Sequence, residues 1–437
     1  MGRQRHRDSG STSSHWLRFQ AMTDAQEQHL TAHERVSQMT GGPTGPLQGI
    51  RVLDCTQAIA GPWSTMMLAD LGADVIKIEP PRGDMQRPMA PYTREDQERA
   101  YGGSFGTYNR NKRGIVLDLF DEGDRATFME LVDTADALVE NMRAGVMDKM
   151  GCGWEVLHAR NPRLVYGAIR GFGDPRTGES PYADWPAYDV IAQSMGGLVA
   201  QNGTGPDNRI QVGPFVGDIY PGTVGAVGIL AAIVHAQRTG EGQFVDVGMV
   251  DSMMALSEMG MMRYSYMGAY DTPPSGNRSD LIAPFDVFDT KDGQVAIASP
   301  TDKHFYILAE AMGHPEWIEA EEGRTLRGRM RNREMIDTAL ADWCASLTNA
   351  QVLDAIGGRV PCGPVNLPGD LFSDPHVTAR EMLVAVEQPS GRPIVQVASP
   401  IKMTATPTGV HRRAPRLGEH TEEILAELEQ AKQRFEA

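Results

Sequence analysis

Strand-like and helix-like segments alternate between residues 49 and 168, and this alternation constrains the fold more than any other feature. The first unit predicts a strand over residues 49–54, a helix over 61–71 with a proline in its opening turn, and a second strand over 73–79. A strand–helix–strand unit of about 30 residues makes its strands parallel. Further strands are predicted over 113–118, 137–140 and 163–168, with helices over 123–134 and 146–150. The pattern predicts a doubly wound α/β sheet.

The second half of the chain predicts a different architecture. A helix over 250–267 precedes a segment rich in proline, glycine and serine over 268–280, which marks a boundary. A hairpin around 291–293 and helices near 304–312 and 332–345 follow, so we expect a smaller α+β domain there. A tight loop at 361–366, a helix opened by Asp374, strands over 383–387 and 392–397 and a charged amphipathic helix at the C-terminus complete the predicted elements.

Composition excludes several classes of function. The chain of 437 residues carries 41 Lys and Arg against 57 Asp and Glu, and the net charge of −16 argues against a surface for nucleic acid or anionic membrane. The four cysteines are scattered without metal-ligand spacing, which indicates reduced thiols, a cytoplasmic protein and no metal site. No uninterrupted apolar run is long enough to span a membrane, and residues 1–45 resemble a tail, with a short helix over 24–37.

The predicted sheet lacks the usual dinucleotide signature. The GxGxxG pattern is absent after the first strand, where residues 55–61 read Cys-Thr-Gln-Ala-Ile-Ala-Gly, so NAD and FAD are disfavoured. Two basic or amide-rich pieces leave the sheet instead, at residues 109–113 and at 141–143 with Lys149. Together they favour a phosphate-rich ligand such as coenzyme A, although each alone is equally well explained as a solvated turn.

Asp218 is the candidate nucleophile. It follows Gly217 and precedes a Pro-Gly pair that we expect to open a small-residue helix too short to cross a bilayer. Positive helix-end dipoles near this carboxylate would favour its ionised form, which is the form a nucleophile needs. The alternative is an aspartate that only caps the helix, and Asp189 has the same simple explanation at an earlier helix.

Several short motifs, taken in order, resemble the family III CoA-transferases, the formyl-CoA and carnitine CoA-transferase type. The resemblance runs from Leu47 to Leu425. The matching pieces are the first strand, Gly72–Glu79 with Arg82-Gly-Asp84, Asn111-Lys-Arg113, Val139-Glu-Asn141, Tyr188-Asp189, Gly217-Asp218 and Leu417-Gly-Glu-His420.

The resemblance implies a domain organisation and an assembly. It implies a Rossmann-like large domain, a small domain and an interlocked homodimer. The expected segments are a tail (1–45), the first part of the large domain (46–250), a linker helix and loop (251–280), the small α+β domain (281–365) and a C-terminal segment that returns to the large domain (366–437).

The resemblance also implies roles for individual residues. Asp218 would attack an acyl-CoA thioester and carry an anhydride and then an aspartyl-CoA thioester, with an acyl-CoA and a small carboxylic acid as substrates and no permanently bound cofactor. Backbone N–H groups at Gly217, Gly222 or the turn 275–277 would stabilise the oxyanion. The positions matching the family's CoA contacts are Ala60, Leu117, Asn141, Met142, Arg143, Lys149 and Tyr188. The family often has an arginine just after the second strand, where this chain has Pro80-Pro81, and Arg82 would take over its contact with CoA.

Departures from the family pattern leave alternatives open. Ile59 stands where formyl-CoA transferases have glutamine, and their four-glycine loop is absent, which puts formate and oxalate in doubt. A racemase of α-methylacyl-CoA is an alternative, but it would have histidine at Tyr188, and tyrosine is a poor base at neutral pH. A catalytically silent CoA-binding protein is a further alternative.

Overall fold

The computed structural model describes residue 39 and residues 42–271 and 273–436. Most of the predicted tail, including the helix over 24–37, lies outside the described residues. The strands, in chain order, are β1 (Arg51–Asp54), β2 (Asp74–Glu79), β3 (Arg113–Val116), β4 (Ala137–Glu140), β5 (Val165–Arg170), β6 (Gly203–Gly205), β7 (Asn208–Arg209), β8 (Phe244–Gly248), β9 (Phe285–Asp289), β10 (Gln294–Ala298), β11 (Cys362–Pro364), β12 (Leu383–Val386) and β13 (Ile394–Val397).

The helices fill the intervals between these strands. In chain order they are α1 (Ala60–Asp70), α2 (Gly103–Tyr108), α3 (Glu122–Asp133), α4 (Val146–Lys149), α5 (Trp154–Arg160), α6 (Asp189–Met195), α7 (Leu198–Gln201), α8 (Val216–Thr239), α9 (Met249–Leu256), α10 (Glu258–Met267), α11 (Asp302–Met312), α12 (Leu326–Arg331), α13 (Arg333–Ala345), α14 (Asn349–Ile356), α15 (Pro375–Ala379) and α16 (Thr421–Glu436). Short 3-10 helices span Pro315–Ile318 and Asp370–Phe372. The helix predicted over 250–267 is two helices, because it breaks at Ser257.

Six strands form one parallel sheet in the order β3-β2-β1-β4-β5-β8. Consecutive side chains of each strand point to opposite faces. Leu53 therefore packs in a core with α3, α5 and α16, whereas Val52 packs in a second core with α1, α8 and α9. The strand order runs outward from β1 in both directions, so the loops after β1 and β4 leave the carboxyl edge side by side. Ligands of open α/β sheets bind at such a point.

Helix α8 is the main support of this edge. Its buried residues recur every three or four positions, and most of them are glycine or alanine. A Cβ at Gly222 would lie 2.4 Å from the carbonyl oxygen of Ala60, and one at Gly225 would lie 2.7 Å from Cδ1 of Ile169. The small residues therefore let α8 approach both α1 and the sheet closely. The expectation that this helix is too short to cross a membrane is wrong, since its 24 residues have the length and apolarity to do so, although its buried face packs inside the fold.

A second unit follows α10. Strands β9, β10 and β11 form an antiparallel sheet, and its core contains Phe288, Val295 and Ile297 with residues of α11, α13 and α14. The predicted hairpin around 291–293 is confirmed. The predicted loop at 361–366 is partly wrong, because Cys362–Pro364 pairs with β10 as an edge strand.

The C-terminal helix α16 returns to the parallel sheet. Ile424 and Leu428 are buried against the first core. Arg113 of β3 forms ion pairs of 2.9 Å with Glu423 and 2.6 Å with Glu427. The last helix thus covers the end of the sheet that β3 forms.

Candidate active site

Asp218 lies in the first turn of α8, at the carboxyl edge of the sheet. The Pro-Gly pair at 221–222 led us to expect the helix to start there, but it begins earlier, directly after Phe215. The backbone of Phe215 has left-handed angles (φ 52°, ψ 36°). The carbonyl oxygen of Phe215 accepts hydrogen bonds from the N–H groups of Asp218 and Ile219, at 3.0 and 2.9 Å. Pro221 therefore lies inside the helix, and the Asp218 side chain leaves from its amino end.

The surroundings of Asp218 favour its protonated form. Burial, followed by the negative charge of Asp189, raises the pKa of Asp218 to about 7. The sequence-based expectation of a carboxylate kept ionised by the helix dipole is wrong in direction, because desolvation and a like charge outweigh that dipole. Near neutral pH the group is divided between its two forms, so it can act as a nucleophile there and as a neutral acid at lower pH.

Asp189 is held in place by two partners. Its Oδ1 accepts a hydrogen bond of 2.7 Å from the N–H of Gly217, and its carboxylate accepts from Nε2 of Gln193 at 2.9 and 3.0 Å. Gln193 is fully buried and also bonds both backbone groups of Val212, at 2.9 Å each. A Cβ at residue 217 would lie 2.5 Å from the Asp189 carbonyl oxygen, so α6 and α8 meet closely here. Asp189 therefore does more than begin a helix. Its own carboxylate is a second negative charge that is fixed near Asp218.

Two of the backbone donors predicted for an oxyanion are already used. The N–H of Gly217 donates to Asp189, and the N–H of Gly276 donates to the carbonyl of Gly203 at 2.8 Å. The third glycine, Gly222, packs against the start of α1. The prediction of glycine donors is thus wrong for Gly217 and Gly276.

Aromatic side chains form a wall beside the first turns of α8. The ring of Trp63 meets that of Tyr108 edge to face, with centroids 6.1 Å apart. Its Nε1 donates a hydrogen bond of 3.0 Å to Oγ1 of Thr223, which in turn donates to the carbonyl of Ile219 at 2.9 Å. Sequence reasoning missed Trp63, Tyr108 and Gln193, because nothing in the local pattern distinguishes them from core residues.

Part of the predicted CoA-binding set lies along the same edge. Ala60 follows β1 and Leu117 follows β3, both buried, while Asn141, Met142 and Arg143 follow β4. The Asn141 side chain accepts from the N–H of Gln57 at 2.8 Å and donates to its carbonyl at 2.7 Å, which fixes the loop after β1. Tyr188 precedes α6 and is 59% exposed.

Cations of the predicted set are exposed, in contrast to the basic run at 109–113. Arg82, Arg143 and Lys149 have exposed side chains. Arg110 instead pairs with Asp70 at 2.6 Å, Lys112 with Asp54 at 2.8 Å and Arg113 with Asp74 at 2.7 Å, and all three cations are buried. The prediction that residues 109–113 bind phosphate is therefore wrong, because carboxylates from distant parts of the chain occupy these cations.

One cavity of about 430 Å³ lies away from Asp218. Its walls include Gly49, Asp74 and Arg113, at the amino ends of the strands, together with His411 and Arg412. Among the described residues, no group of three His, Cys, Asp or Glu side chains is placed to hold a metal ion.

The sequence matches the family model described as CoA-transferase family III over residues 47–421. The chain belongs to this family. The resemblance found in the sequence is thereby confirmed over nearly the whole range that it covered.

Relatives in the family carry names of individual CoA-transferases. The chain is 46% identical to succinyl-CoA:mesaconate CoA-transferase of Haloarcula hispanica, over 88% of this chain and 96% of the relative. It is 37% identical to succinate–glutarate CoA-transferase of Agrobacterium fabrum, with the same two coverages. It is 33% identical to formyl-CoA:oxalate CoA-transferase of Streptomyces avermitilis, over 87% and 95%.

A solved structure shares the fold. A CAIB/BAIF family protein from Brucella suis superposes with a TM-score of 0.78 at 33% identity, covering 88% of this chain and all of that one. The family and its relatives identify the chain as an enzyme, a CoA-transferase. The alternative of a catalytically silent CoA-binding protein is therefore wrong.

Proposed function

We propose that this CoA-transferase moves CoA from an acyl-CoA thioester to a free carboxylic acid, with Asp218 as the nucleophile. The observation that carries the proposal is a partly buried carboxylate at the carboxyl edge of the sheet, with its pKa raised to about 7 by burial and by Asp189. Perturbed acids at such an edge are candidates for covalent catalysis. The family membership gives this carboxylate a reaction to perform.

The reaction conserves the energy of the thioester. An oxygen of the Asp218 carboxylate attacks the acyl carbon, the C–S bond breaks, and CoA leaves as a thiolate from a mixed anhydride. The thiolate then attacks the Asp218 carbonyl carbon, the anhydride C–O bond breaks, and the first acid leaves as a carboxylate. A second carboxylate attacks the resulting aspartyl-CoA thioester, and the same two steps run in reverse. No net proton is consumed, and water has no role.

The bound CoA would lie along the carboxyl edge. We assign its contacts to Ala60, Leu117, Asn141, Met142 and Tyr188, with phosphate groups held by the exposed cations Arg82, Arg143 and Lys149. The chain's net charge of −16 makes such local cations necessary for a polyanionic ligand. The CoA thioester is a substrate in this scheme, and the chemistry needs no permanent cofactor.

Succinyl-CoA and a small unsaturated or hydroxylated dicarboxylic acid are the first substrates to test. Relatives at 46% and 45% identity are named succinyl-CoA:mesaconate CoA-transferases, and further relatives are named for L-malate and D-citramalate. Ile59, in place of the glutamine of formyl-CoA transferases, argues against formate and oxalate. Transfer is favoured over racemisation, because Tyr188 is largely exposed and Asp189 is bonded to Gly217 and Gln193.

An exchange assay tests the proposal. Purified protein is mixed with succinyl-CoA and isotopically labelled mesaconate, malate, citramalate, glutarate, oxalate or formate, and labelled acyl-CoA is measured by mass spectrometry. We expect label to enter acyl-CoA with at least one dicarboxylic acid. Asp218→Asn should abolish the exchange, whereas Asp184→Asn, which removes an exposed carboxylate, should not. Absence of exchange with every acid, or full activity of Asp218→Asn, would refute the proposal.

A further inference from the structure

Tyr108 carries a hydroxyl that the proposed mechanism has not used, and its ring packs on Trp63 in the aromatic wall beside the first turns of α8. It is the last residue of α2, its ring is half-buried, and its hydroxyl makes no hydrogen bond to any described residue. Burial and the negative charge of Asp218 both raise the pKa of this phenol, which places it within electrostatic reach of the carboxylate.

Tyr108 is restrained by a contact of its ring and by its buried neighbour in the chain. Trp63 meets the Tyr108 ring edge to face and is anchored through Thr223 to α8, the helix that carries Asp218. The next residue, Asn109, is fully buried, donates to the carbonyl of Phe105 at 3.1 Å and accepts from Nζ of the buried Lys112 at 2.9 Å. The phenol is therefore held before any ligand arrives, as a preorganised donor must be.

The reaction needs a donor at this point. Each attack at or by Asp218 converts a carbonyl oxygen into an oxyanion, and donors aimed at that oxygen lower the barrier. The N–H groups of Gly217 and Gly276 are committed to other acceptors. The Tyr108 hydroxyl has no such commitment among the described residues.

We propose that the Tyr108 hydroxyl donates a hydrogen bond to the acyl oxygen of the thioester and to the oxyanion that forms when Asp218 attacks it. The proposal rests on the proposed function of Asp218. The phenol keeps its proton throughout, so only a hydrogen bond strengthens while the C–O bond to Asp218 forms and the C–S bond breaks. Because the pKa of Tyr108 is raised further from an ordinary value near 10, the group is a neutral donor at every working pH.

The kinetic test compares two substitutions of the same type. Tyr108→Phe removes only the hydroxyl, and Tyr101→Phe removes a hydroxyl that donates to the carbonyl of Ala414 at 2.7 Å in the same segment. We expect Tyr108→Phe to slow acyl transfer to Asp218 about 10²-fold in single-turnover experiments at saturating succinyl-CoA, with little change in KM. Tyr101→Phe should lower thermal stability and leave that rate near the wild-type value. An unchanged rate in folded Tyr108→Phe would overturn the proposal.

A binding test separates this proposal from the proposed function. Succinyl-CoA labelled with ¹³C at the thioester carbonyl is bound to Asp218→Asn, and its carbonyl band is recorded by infrared difference spectroscopy. A hydrogen bond from Tyr108 should shift the band to lower frequency, and the double variant Asp218→Asn/Tyr108→Phe should restore it. A shift that persists in the double variant, or no binding at all, contradicts the role of Tyr108. A shift that depends on Tyr108 in a protein without exchange activity supports Tyr108 and refutes the transferase mechanism.

Discussion

At the scale of single residues, the site depends on two carboxylates that repel each other. Asp189 cannot move away, because Gly217 and the buried Gln193 hold it. The burial of Asp218 and the charge of Asp189 together raise the pKa of the nucleophile to about 7. A carboxylate with a raised pKa is a stronger nucleophile when ionised, at the cost of being partly protonated at neutral pH.

This arrangement predicts a pH dependence with a definite sign. Asp218 attacks only after losing its proton, so its acylation rate should rise with pH through about 7 and level off above. Asp189→Asn removes the like charge while keeping an oxygen that can accept from Gly217. The rising limb should then move to lower pH, measured by single-turnover acylation between pH 5 and 9. Asp184→Asn, with the same loss of charge at an exposed site, should leave the limb in place. A limb that does not move in Asp189→Asn would contradict the coupling.

At the scale of elements, the position of Asp218 is set by how closely α8 approaches α1. Gly222 lies one turn after Asp218, and a Cβ there would lie 2.4 Å from the carbonyl oxygen of Ala60 and 3.1 Å from the ring of Trp63. The atom that the new Cβ would contact belongs to the backbone of Ala60, which cannot move aside as easily as the end of a flexible side chain can. The two helices would have to separate, which would move Asp218 relative to β1 and its loop.

Gly222→Ala is therefore expected to lower stability and activity together. Overpacking costs about 1–3 kcal/mol, which exceeds the gain of up to about 1 kcal/mol from placing alanine in a helix. The free energy of unfolding can be measured by urea denaturation beside the exchange assay. Gly369→Ala is the matched control, because no atom lies within 4 Å of its added Cβ. If Gly222→Ala and the wild type have the same free energy of unfolding, α1 and α8 can move apart at little cost and the expectation is wrong.

The sequence predicted some of these helices and strands more accurately than others. The strand–helix–strand order was correct because apolar periodicity is local, and Pro62 marks the opening of α1. The start of α8 was misplaced, because Phe215 begins it with left-handed backbone angles and no side-chain cap, while Pro221 looked like a helix opening. Contacts between residues that are distant in the sequence could not be predicted from local patterns. The tertiary fold brings Arg113 into an ion pair with Glu427. It also brings Tyr108 near enough to Asp218 for the carboxylate charge to raise the pKa of the phenol.

At the scale of the whole molecule, we propose that two chains form an interlocked homodimer. The proposal follows from the family resemblance and is supported by an apolar surface on α9, α10 and the segment after them. Large side chains there are strongly exposed, including Met254 (53%), Tyr266 (86%), Met267 (78%) and Tyr270 (91%). A concentration of exposed large apolar side chains in one part of the chain is what an interface with a second copy would cover.

Light scattering after size-exclusion chromatography should give twice the chain mass of 47.7 kDa. Interlocked chains cannot separate while they are folded. When two preparations of the dimer that carry different tags are combined, dimers with one chain of each kind should therefore form only after the proteins are unfolded and refolded together. A monomeric mass would refute the dimer. Rapid formation of hybrids under native conditions would refute interlocking and leave an ordinary dimer.

The central claim is that the acyl group and CoA pass through a covalent bond to Asp218, and trapping that bond tests it most directly. The protein is incubated with succinyl-CoA, treated with hydroxylamine or borohydride, digested, and its peptides are sequenced by mass spectrometry. We predict a hydroxamate or a reduced side chain at Asp218, absent without succinyl-CoA and absent in Asp218→Asn. An unmodified Asp218 in protein that is actively exchanging CoA, or a modification at another residue, would contradict the claim.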